Sequence, residues 1–153
     1  MVATILCVCT GNVCRSPMAE GILRQRLANQ GLGGQHRVFS AGVWALDGRP
    51  ASENARQVMK EKGIDISDHI AHSIAASDVS DADLILVMSR EHQDMIVNTW
   101  SQYRWKVYRL SEMTGKRKDV RDPYGGTLDE YRACADIISG YIDLGLERIL
   151  QLA

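Results

Sequence analysis

The chain has 153 residues, 18 of them basic and 19 acidic, which gives a formal net charge of −1 at pH 7. This length predicts a single domain spanning residues 1–153, and the balanced charge gives no indication of nucleic-acid or membrane binding. The four cysteines fit a reducing compartment better than a disulfide scaffold, and the apolar N-terminal run is too short to span a bilayer. The sequence therefore predicts that the protein is located in the cytoplasm.

The first predicted strand and the first predicted helix enclose a segment suited to anion binding. The strand covers Thr4–Cys9, which is mostly apolar, and the helix is predicted at Pro17–Asn29. Backbone N–H groups at such a strand-to-helix turn point into the loop, where the helix dipole favours negative charge. Gly11 and Asn12 tolerate the left-handed dihedral angles that this kind of loop needs, and the Asn12 side chain is expected to hold the loop backbone.

A thiol and a guanidinium occupy the two ends of this segment. Five residues separate Cys9 from Arg15, which is enough to curl the loop around one phosphate-sized anion, and Arg15 matches two phosphate oxygens. The positive surroundings favour the thiolate form of Cys9. Ser16 is expected to donate a hydrogen bond to that sulfur and to cap the helix, with Pro17 at its first position. The spacing predicts a thiol nucleophile for a tetrahedral oxyanion.

A metal site is the competing interpretation of these residues. Cys7, Cys9 and Cys14 could bind zinc, but structural zinc commonly needs a second pair of ligands, and no such pair follows. His69 and His72 resemble a metal-binding pair, yet no cluster of carboxylates accompanies them. We interpret both histidines as structural residues that form hydrogen bonds.

Strands and helices alternate along the rest of the chain, which is typical of right-handed crossovers in a doubly wound sheet. The predicted fold is α/β: a flavodoxin-like three-layer sandwich with a four-stranded parallel sheet in the order 2-1-3-4 and helices on both faces. In this order a crevice opens at the C-terminal end of the first strand, where Cys9 lies. The later predicted elements are a strand at Arg37–Ala41, a helix near Ala51–Lys62, a strand at Leu84–Met88, a helix capped by Ser89, a strand at Lys106–Leu110, and a last helix that begins with a capping box of Thr127 and Glu130.

The segment Cys9–Glu20, which reads CTGNVCRSPMAE, resembles the active-site loop of the low-molecular-weight protein tyrosine phosphatases. Four later segments resemble the family in the same order: SAG at 40–42, GIDISDH at 63–69, DLILVM at 83–88 and DPYG at 122–125. The resemblance covers nearly the whole chain. It implies the same fold and a phosphatase activity.

Asp122 is the predicted second half of the chemistry, because an attack by thiolate on a phosphate ester needs a proton for the departing oxygen. Pro123 stiffens the segment, and Tyr124 provides an aromatic wall for the substrate. Asp119 is the alternative acid. The resemblance implies that Trp44, in the loop after the second strand, forms another wall, with a packing role as the alternative. The predicted substrate-binding residues are Thr10, Gly11, Asn12, Val13, Cys14, Ser16, Trp44 and Tyr124.

The predicted reaction is metal-free hydrolysis in two steps, without a cofactor, through a phosphorylated Cys9. The expected substrates are tyrosine-phosphorylated proteins, and a cognate tyrosine kinase is an expected partner. The enzyme is expected to be a monomer or to self-associate weakly. A protein-arginine phosphatase is one alternative; the resemblance implies that threonine at position 13 accompanies that activity, whereas this chain has Val13. A thiol-linked arsenate reductase would need further cysteines after the third strand. A non-catalytic phosphate-binding regulatory module would need no acid.

Cys9 and Cys14 lie within one short loop. We therefore predict that mild peroxide converts Cys9 to a sulfenic acid and then to a Cys9–Cys14 disulfide, which dithiol reverses. The alternative is that Cys14 only packs beneath the loop.

Overall fold

The computed structural model describes residues 1–153 and contains one parallel sheet with the strand order β2-β1-β3-β4. This order confirms the predicted flavodoxin-like topology. The central strand β1 pairs with β2 along its full length and with β3 over Ile5–Val8. The strands are β1 at Ala3–Cys9, β2 at His36–Gly42, β3 at Leu84–Val87 and β4 at Val107–Arg109.

Helices cover both faces of the sheet. None of them combines the length and the apolar character that crossing a membrane requires. A short helix between β2 and β3 and two 3-10 helices were not predicted, because segments of five or six residues carry too little periodicity. The α-helices are α1 at Arg15–Asn29, α2 at Glu53–Glu61, α3 at Ala76–Asp81, α4 at Arg90–Thr99 and α5 at Leu128–Leu152, and the 3-10 helices are Ser101–Lys106 and Leu110–Thr114.

Alternate side chains of β1 divide the core into two layers. Ile5, Cys7 and Cys9 belong to the cluster that includes the buried faces of α1, α2 and α5. Leu6 and Val8 belong to the opposite cluster, which includes buried residues of α3 and α4. Because β1 is buried on both faces, its C-terminal end is fixed in the middle of the molecule.

The start of α1 differs from the prediction. The helix begins at Arg15, and its N-cap residue, Cys14, makes no capping hydrogen bond through its side chain. The prediction that Ser16 caps the helix is wrong, because its hydroxyl is engaged by the Cys9 sulfur and by the Asn12 amide. Pro17 is the third helical residue, where its missing N–H still costs no intrahelical hydrogen bond.

Later helix caps follow the sequence more closely. Ser89 caps α4 by accepting a hydrogen bond from the backbone N–H of His92. The predicted capping box of α5 is half present: the Glu130 N–H donates to Thr127 Oγ1 at 3.2 Å, while the Glu130 carboxylate lies near that hydroxyl at 3.5 Å. These caps fix the helix starts that follow the loops of the site.

Candidate active site

A cavity of about 190 Å³ opens at the C-terminal end of β1, with Cys9 among its lining residues. Cys9 is almost fully buried, with 2% of its surface exposed. The cavity is formed by the phosphate-binding loop, which we define as residues 9–16, by the loop after β2, and by the acid loop, which we define as residues 115–126. The lining residues are Cys9, Thr10, Gly11, Val13, Cys14, Arg15, Trp44, Leu46, Asp122 and Tyr124.

Asn12 holds the phosphate-binding loop in shape, as the sequence predicted. It is fully buried and has a positive φ of 60°. Its side-chain amide donates to Ser16 Oγ at 2.8 Å and to Ser40 Oγ at 3.0 Å, and its Oδ1 accepts from the His72 N–H at 3.0 Å. Its carbonyl oxygen lies 2.7 Å from His69 Nε2, and since a carbonyl only accepts, His69 donates.

The interpretation of His69 and His72 and the conformation expected at Gly11 have different outcomes in the structure. The ring of His69 forms a structural hydrogen bond to Asn12, as interpreted from the sequence. His72, by contrast, contacts Asn12 only through its backbone N–H and places its ring Nε2 3.5 Å from Asp78 Oδ2. No group of three or more His, Cys, Asp and Glu side chains in residues 1–153 is placed to hold a metal ion. The left-handed conformation expected at Gly11 is absent, because the single positive φ at Asn12 is enough to turn the chain.

Ser16 supplies a hydrogen-bond donor to the sulfur of Cys9. Its Oγ lies 2.9 Å from Cys9 Sγ. The same Oγ accepts from the Asn12 amide, so the hydroxyl proton of Ser16 is free to point at the sulfur. A donor at this position stabilises a thiolate.

Arg15 is buried, with 6% of its surface exposed, and its guanidinium joins the two loops. Nη1 donates to the Val120 carbonyl at 2.8 Å, and Nη2 donates to Thr10 Oγ1 at 3.3 Å. Nη2 also lies 3.5 Å from Asp122 Oδ2. Nε is buried without a partner. A buried donor without an acceptor is costly, so an oxyanion within reach of this N–H group would stabilise it.

Asp122 lies at the mouth of the cavity and is far more open than Cys9. About 47% of its side chain is exposed, and its Oδ1 accepts a hydrogen bond from the Tyr124 N–H at 3.1 Å. Asp119, the alternative acid, does not line the cavity. It instead accepts from the Arg90 N–H at 2.9 Å and from Arg109 Nη1 at 3.3 Å. The structure thus brings Asp122, and not Asp119, together with Cys9 and Arg15.

Aromatic and apolar side chains form the walls of the cavity. Trp44 is 65% exposed, so it does not have the packing role that was its alternative. Tyr124 is 57% exposed. Val13 is nearly buried and lines the cavity from within the loop. Leu46 also lines it, although no feature of the sequence indicated this role.

Cys14 is held beneath the loop by two hydroxyl groups. Its Sγ lies 3.2 Å from the Tyr131 hydroxyl and 3.4 Å from Ser52 Oγ. Burial raises the pKa of Cys14 and, more strongly, that of Cys7. Both groups are therefore thiols at neutral pH.

His92 is a residue of the site that the sequence analysis missed. It is 1% exposed, its Nε2 lies 2.9 Å from Thr10 Oγ1, and its Nδ1 lies 2.9 Å from Ser89 Oγ. Burial, followed by the positive charge of Arg15, lowers its pKa to about 4, so the ring is neutral at pH 7. One signal existed: β3 lies beside β1, so the segment after β3 emerges at the edge of the sheet that carries the phosphate-binding loop.

A buried thiol and an arginine in one loop, an aspartate at the mouth, and a flavodoxin-like sheet define the class of cysteine-dependent phosphatases. A model of the family described as low molecular weight phosphotyrosine protein phosphatase matches residues 4–148. The probable low molecular weight protein-tyrosine-phosphatase EpsP of Ralstonia nicotianae is 41% identical over 152 residues, which cover 99% of each chain.

Two further relatives are similar along nearly their whole length. The protein-arginine-phosphatase of Geobacillus stearothermophilus is 39% identical over 146 residues, which cover 95% of each chain. The crystal structure of a low molecular weight protein tyrosine phosphatase from T. tengcongensis matches with a TM-score of 0.91 at 43% identity, over 95% of this chain and 99% of that one. The chain belongs to the low-molecular-weight phosphotyrosine protein phosphatase family.

Proposed function

We propose that this protein hydrolyses phosphotyrosine in proteins through a cysteinyl-phosphate intermediate, without a metal or another cofactor. One observation carries the proposal: Cys9 and Arg15 line the same cavity, and Arg15 Nε is a buried donor without a hydrogen-bond partner. A tetrahedral oxyanion in this cavity would satisfy the guanidinium and face the sulfur. The backbone N–H groups of the loop add further donors for the equatorial oxygens.

The first chemical step transfers the phosphoryl group to the enzyme. The Cys9 thiolate attacks phosphorus, the S–P bond forms, and the bond from phosphorus to the phenolic oxygen breaks. Asp122 gives its proton to that leaving oxygen. In the second step the Asp122 carboxylate takes a proton from water, the new O–P bond forms, and the S–P bond breaks to release inorganic phosphate.

The contact between Arg15 and Asp122 has a consequence for this proton transfer. In the free enzyme the Arg15 guanidinium lies 3.5 Å from Asp122 Oδ2. A bound phosphate dianion competes for the same guanidinium and adds negative charge beside the carboxyl group. Asp122 therefore lies beside the guanidinium that we propose binds the phosphoryl oxygens.

The walls of the cavity favour a phenyl ring over a guanidinium. Val13 offers no hydrogen-bonding group, and Trp44 and Tyr124 present aromatic surface at the mouth. A phosphorylated guanidinium with unsatisfied N–H groups against such walls loses roughly 1–3 kcal/mol. Phosphotyrosine, by contrast, gains aromatic contact. The walls therefore favour phosphotyrosine, although the chain is similarly close in overall identity to the tyrosine-phosphatase and arginine-phosphatase relatives.

Parallel kinetics on matched phosphotyrosine and phosphoarginine peptides tests the substrate. We expect kcat/KM to be at least about tenfold higher for phosphotyrosine, which corresponds to about 1.4 kcal/mol. A preference for phosphoarginine would overturn the substrate assignment and leave the Cys9 mechanism intact. Turnover of p-nitrophenyl phosphate, without added metal or thiol partners, serves as the common control. Absence of any turnover would instead favour the regulatory module.

An arsenate reductase is disfavoured by the positions of the cysteines. The chain has Cys7, Cys9, Cys14 and Cys134, and none in residues 88–100 after β3.

The chemistry proposed here also assigns the cytoplasm as the location, since the thiolate must stay reduced. Its partners are tyrosine-phosphorylated proteins and, through them, a cognate kinase. We assign the monomer as the working unit, because every group named in the mechanism comes from one chain.

Reversible oxidation is a further part of the proposal. We expect mild peroxide to inactivate the enzyme, a Cys9–Cys14 disulfide to appear in peptide maps, and dithiol to restore activity. The hydroxyls of Tyr131 and Ser52 hold Cys14, so the disulfide requires that Cys14 leaves them. The Cys14→Ser variant is the matched comparison, because it should lose activity irreversibly under the same treatment. Reversible inactivation without a Cys9–Cys14 linkage would rule out this mechanism.

A further inference from the structure

A chain of hydrogen bonds, buried at His92 and partly buried at Thr10, connects the N-cap of α4 to the arginine of the phosphate-binding loop. Ser89 Oγ lies 2.9 Å from His92 Nδ1, and His92 Nε2 lies 2.9 Å from Thr10 Oγ1. The same Thr10 oxygen accepts a hydrogen bond from Arg15 Nη2 at 3.3 Å. Both ring nitrogens of His92 are thus used, and neither contacts the cavity.

The position of Thr10 in this chain matters for catalysis. Thr10 follows the nucleophile in sequence and lines the cavity, so any rotation of its side chain moves a hydrogen-bond partner of Arg15. A threonine hydroxyl alone has several staggered positions. A fixed partner on its far side selects one of them, and the rigid imidazole ring, anchored at Ser89, is such a partner.

We propose that His92 is a positioning residue of the phosphatase reaction, which holds the Thr10 hydroxyl so that Arg15 presents its free edge to the phosphoryl group. This inference rests on the proposed function. Arg15 contributes most where charge develops in the transition state. A poorly held Arg15 therefore lowers kcat more than it raises KM. The neutral state of His92 at pH 7 fits this role, because a second positive charge would repel Arg15.

The alternative is that His92 only stabilises the fold by filling its buried site. Two amide substitutions separate these roles. The amide of His92→Gln reaches the position of Nε2 and can still bind Thr10, whereas the shorter amide of His92→Asn reaches the position of Nδ1 and can bind only Ser89. Both variants are polar and uncharged, and each retains one of the two hydrogen bonds.

The experiment measures kcat, KM and thermal stability for the two variants with p-nitrophenyl phosphate and a phosphotyrosine peptide. We expect His92→Asn to lower kcat at least about tenfold with little change in KM, and His92→Gln to retain kcat within about threefold. Equal losses in kcat for both variants would overturn the proposal. The same pair of substitutions at His36, which lies at the opposite end of the sheet at the start of β2, is the matched control and should show no difference.

A second measurement keeps the proposal testable if one variant folds poorly or if the protein proves not to be a phosphatase. Binding of orthovanadate, measured by calorimetry on folded protein, should weaken about tenfold in His92→Asn and less than threefold in His92→Gln. In a Thr10→Val background, where the hydroxyl is gone, His92→Asn should have almost no further effect on vanadate binding. Additive losses would show that His92 does not act through Thr10.

Discussion

In the proposed mechanism the phosphate-binding loop and the acid loop contribute one reacting group each, but the two loops differ in burial. In the first loop, all residues except Thr10 and Gly11 are buried. In residues 116–125 of the acid loop, only Val120 and Pro123 are buried. The loop that carries the nucleophile is therefore part of the core, and the segment that carries the acid is part of the surface.

This difference follows from what each loop must do. Stabilising the charge of a phosphoryl group needs donors that are in place before the reaction, which burial and hydrogen bonds such as those of Asn12 provide. Protonating a leaving group on a protein substrate needs an open approach, which the exposed position of Asp122 provides. Substitutions of Cys9 and of the groups that hold the phosphoryl group should affect all substrates alike, whereas substitution of Asp122 should depend on the leaving group.

The largest expected effect comes from Cys9→Ser, which removes the nucleophile and leaves the anion site in place. A serine hydroxyl is barely ionised at neutral pH, so turnover should fall by at least about four orders of magnitude for every substrate. Binding of phosphate or vanadate, measured by calorimetry, should persist. Cys134→Ser, which removes a buried thiol outside the cavity, should keep most of the activity. Appreciable turnover by the Cys9 variant would remove Cys9 as the nucleophile.

The next largest effect is expected from Asp122→Asn. The change should slow phosphotyrosine hydrolysis by about 10²–10³, because a phenolic oxygen of high basicity needs the proton. It should slow p-nitrophenyl phosphate by less than about tenfold, since that leaving group departs unaided. Asp119→Asn, in the same loop but outside the cavity, is the control and should be close to neutral. An equal loss on both substrates would contradict the general-acid assignment.

A smaller effect concerns the pH dependence of folding stability. The pKa of His92 is about 4 in the folded protein, below its ordinary value of 6.5. A group with a lowered pKa contributes stability that is full above its unfolded pKa and is lost as pH falls towards the folded pKa. The total is about 3 kcal/mol, of which roughly 2 kcal/mol should be lost between pH 7 and pH 5.

Urea unfolding of the unmodified protein and of His92→Gln at both pH values measures this loss. The variant carries no titratable group at position 92, so its stability should change less between pH 7 and pH 5. The carboxyl groups of Glu61 and Asp65 also have lowered pKa values, so their contribution to folding stability also falls as the pH falls. Both groups are present in both proteins, so they do not affect the comparison. Identical pH dependence of the two proteins would show that His92 does not become charged on unfolding.

The sequence predicts the residues of the buried phosphate-binding loop better than the residues that hold this loop in place. The reason is that the latter lie far from the loop along the chain. The strand order and the placing of Cys9 and Arg15 follow from local pattern and spacing. The contacts that hold Arg15 and Thr10 join residues 105 and 82 positions apart, and no local pattern encodes them. Ser16 was assigned two roles because a hydroxyl beside a helix start suits both, and only the three-dimensional position of the sulfur decides between them.

The acid loop was predicted by chemistry more than by pattern. The proline after Asp122, which Asp119 lacks, favours Asp122 as the acid, and of the two residues only Asp122 lines the cavity. No feature of the sequence indicates that Leu46 lines the cavity, because an apolar residue in a loop is usually interpreted as a residue that packs against the core. A residue such as Leu46, which serves the site by shape alone, therefore leaves no signal in the sequence.

The smallest expected effect comes from Val13, the apolar wall that lies within the buried loop. Val13→Thr keeps the branched shape and adds one hydroxyl, which can bind a guanidinium N–H but gains nothing from a phenyl ring. We expect the preference for phosphotyrosine over phosphoarginine to narrow about threefold, which corresponds to about 0.7 kcal/mol. The measurement is kcat/KM on the matched peptides used for the unmodified enzyme. Val13→Ala removes apolar contact without adding a hydroxyl, so it should lower phosphotyrosine turnover without raising phosphoarginine turnover. If Val13→Thr leaves the ratio unchanged, the hydroxyl at this position does not discriminate between the substrates, and the selectivity must come from the aromatic side chains at the mouth.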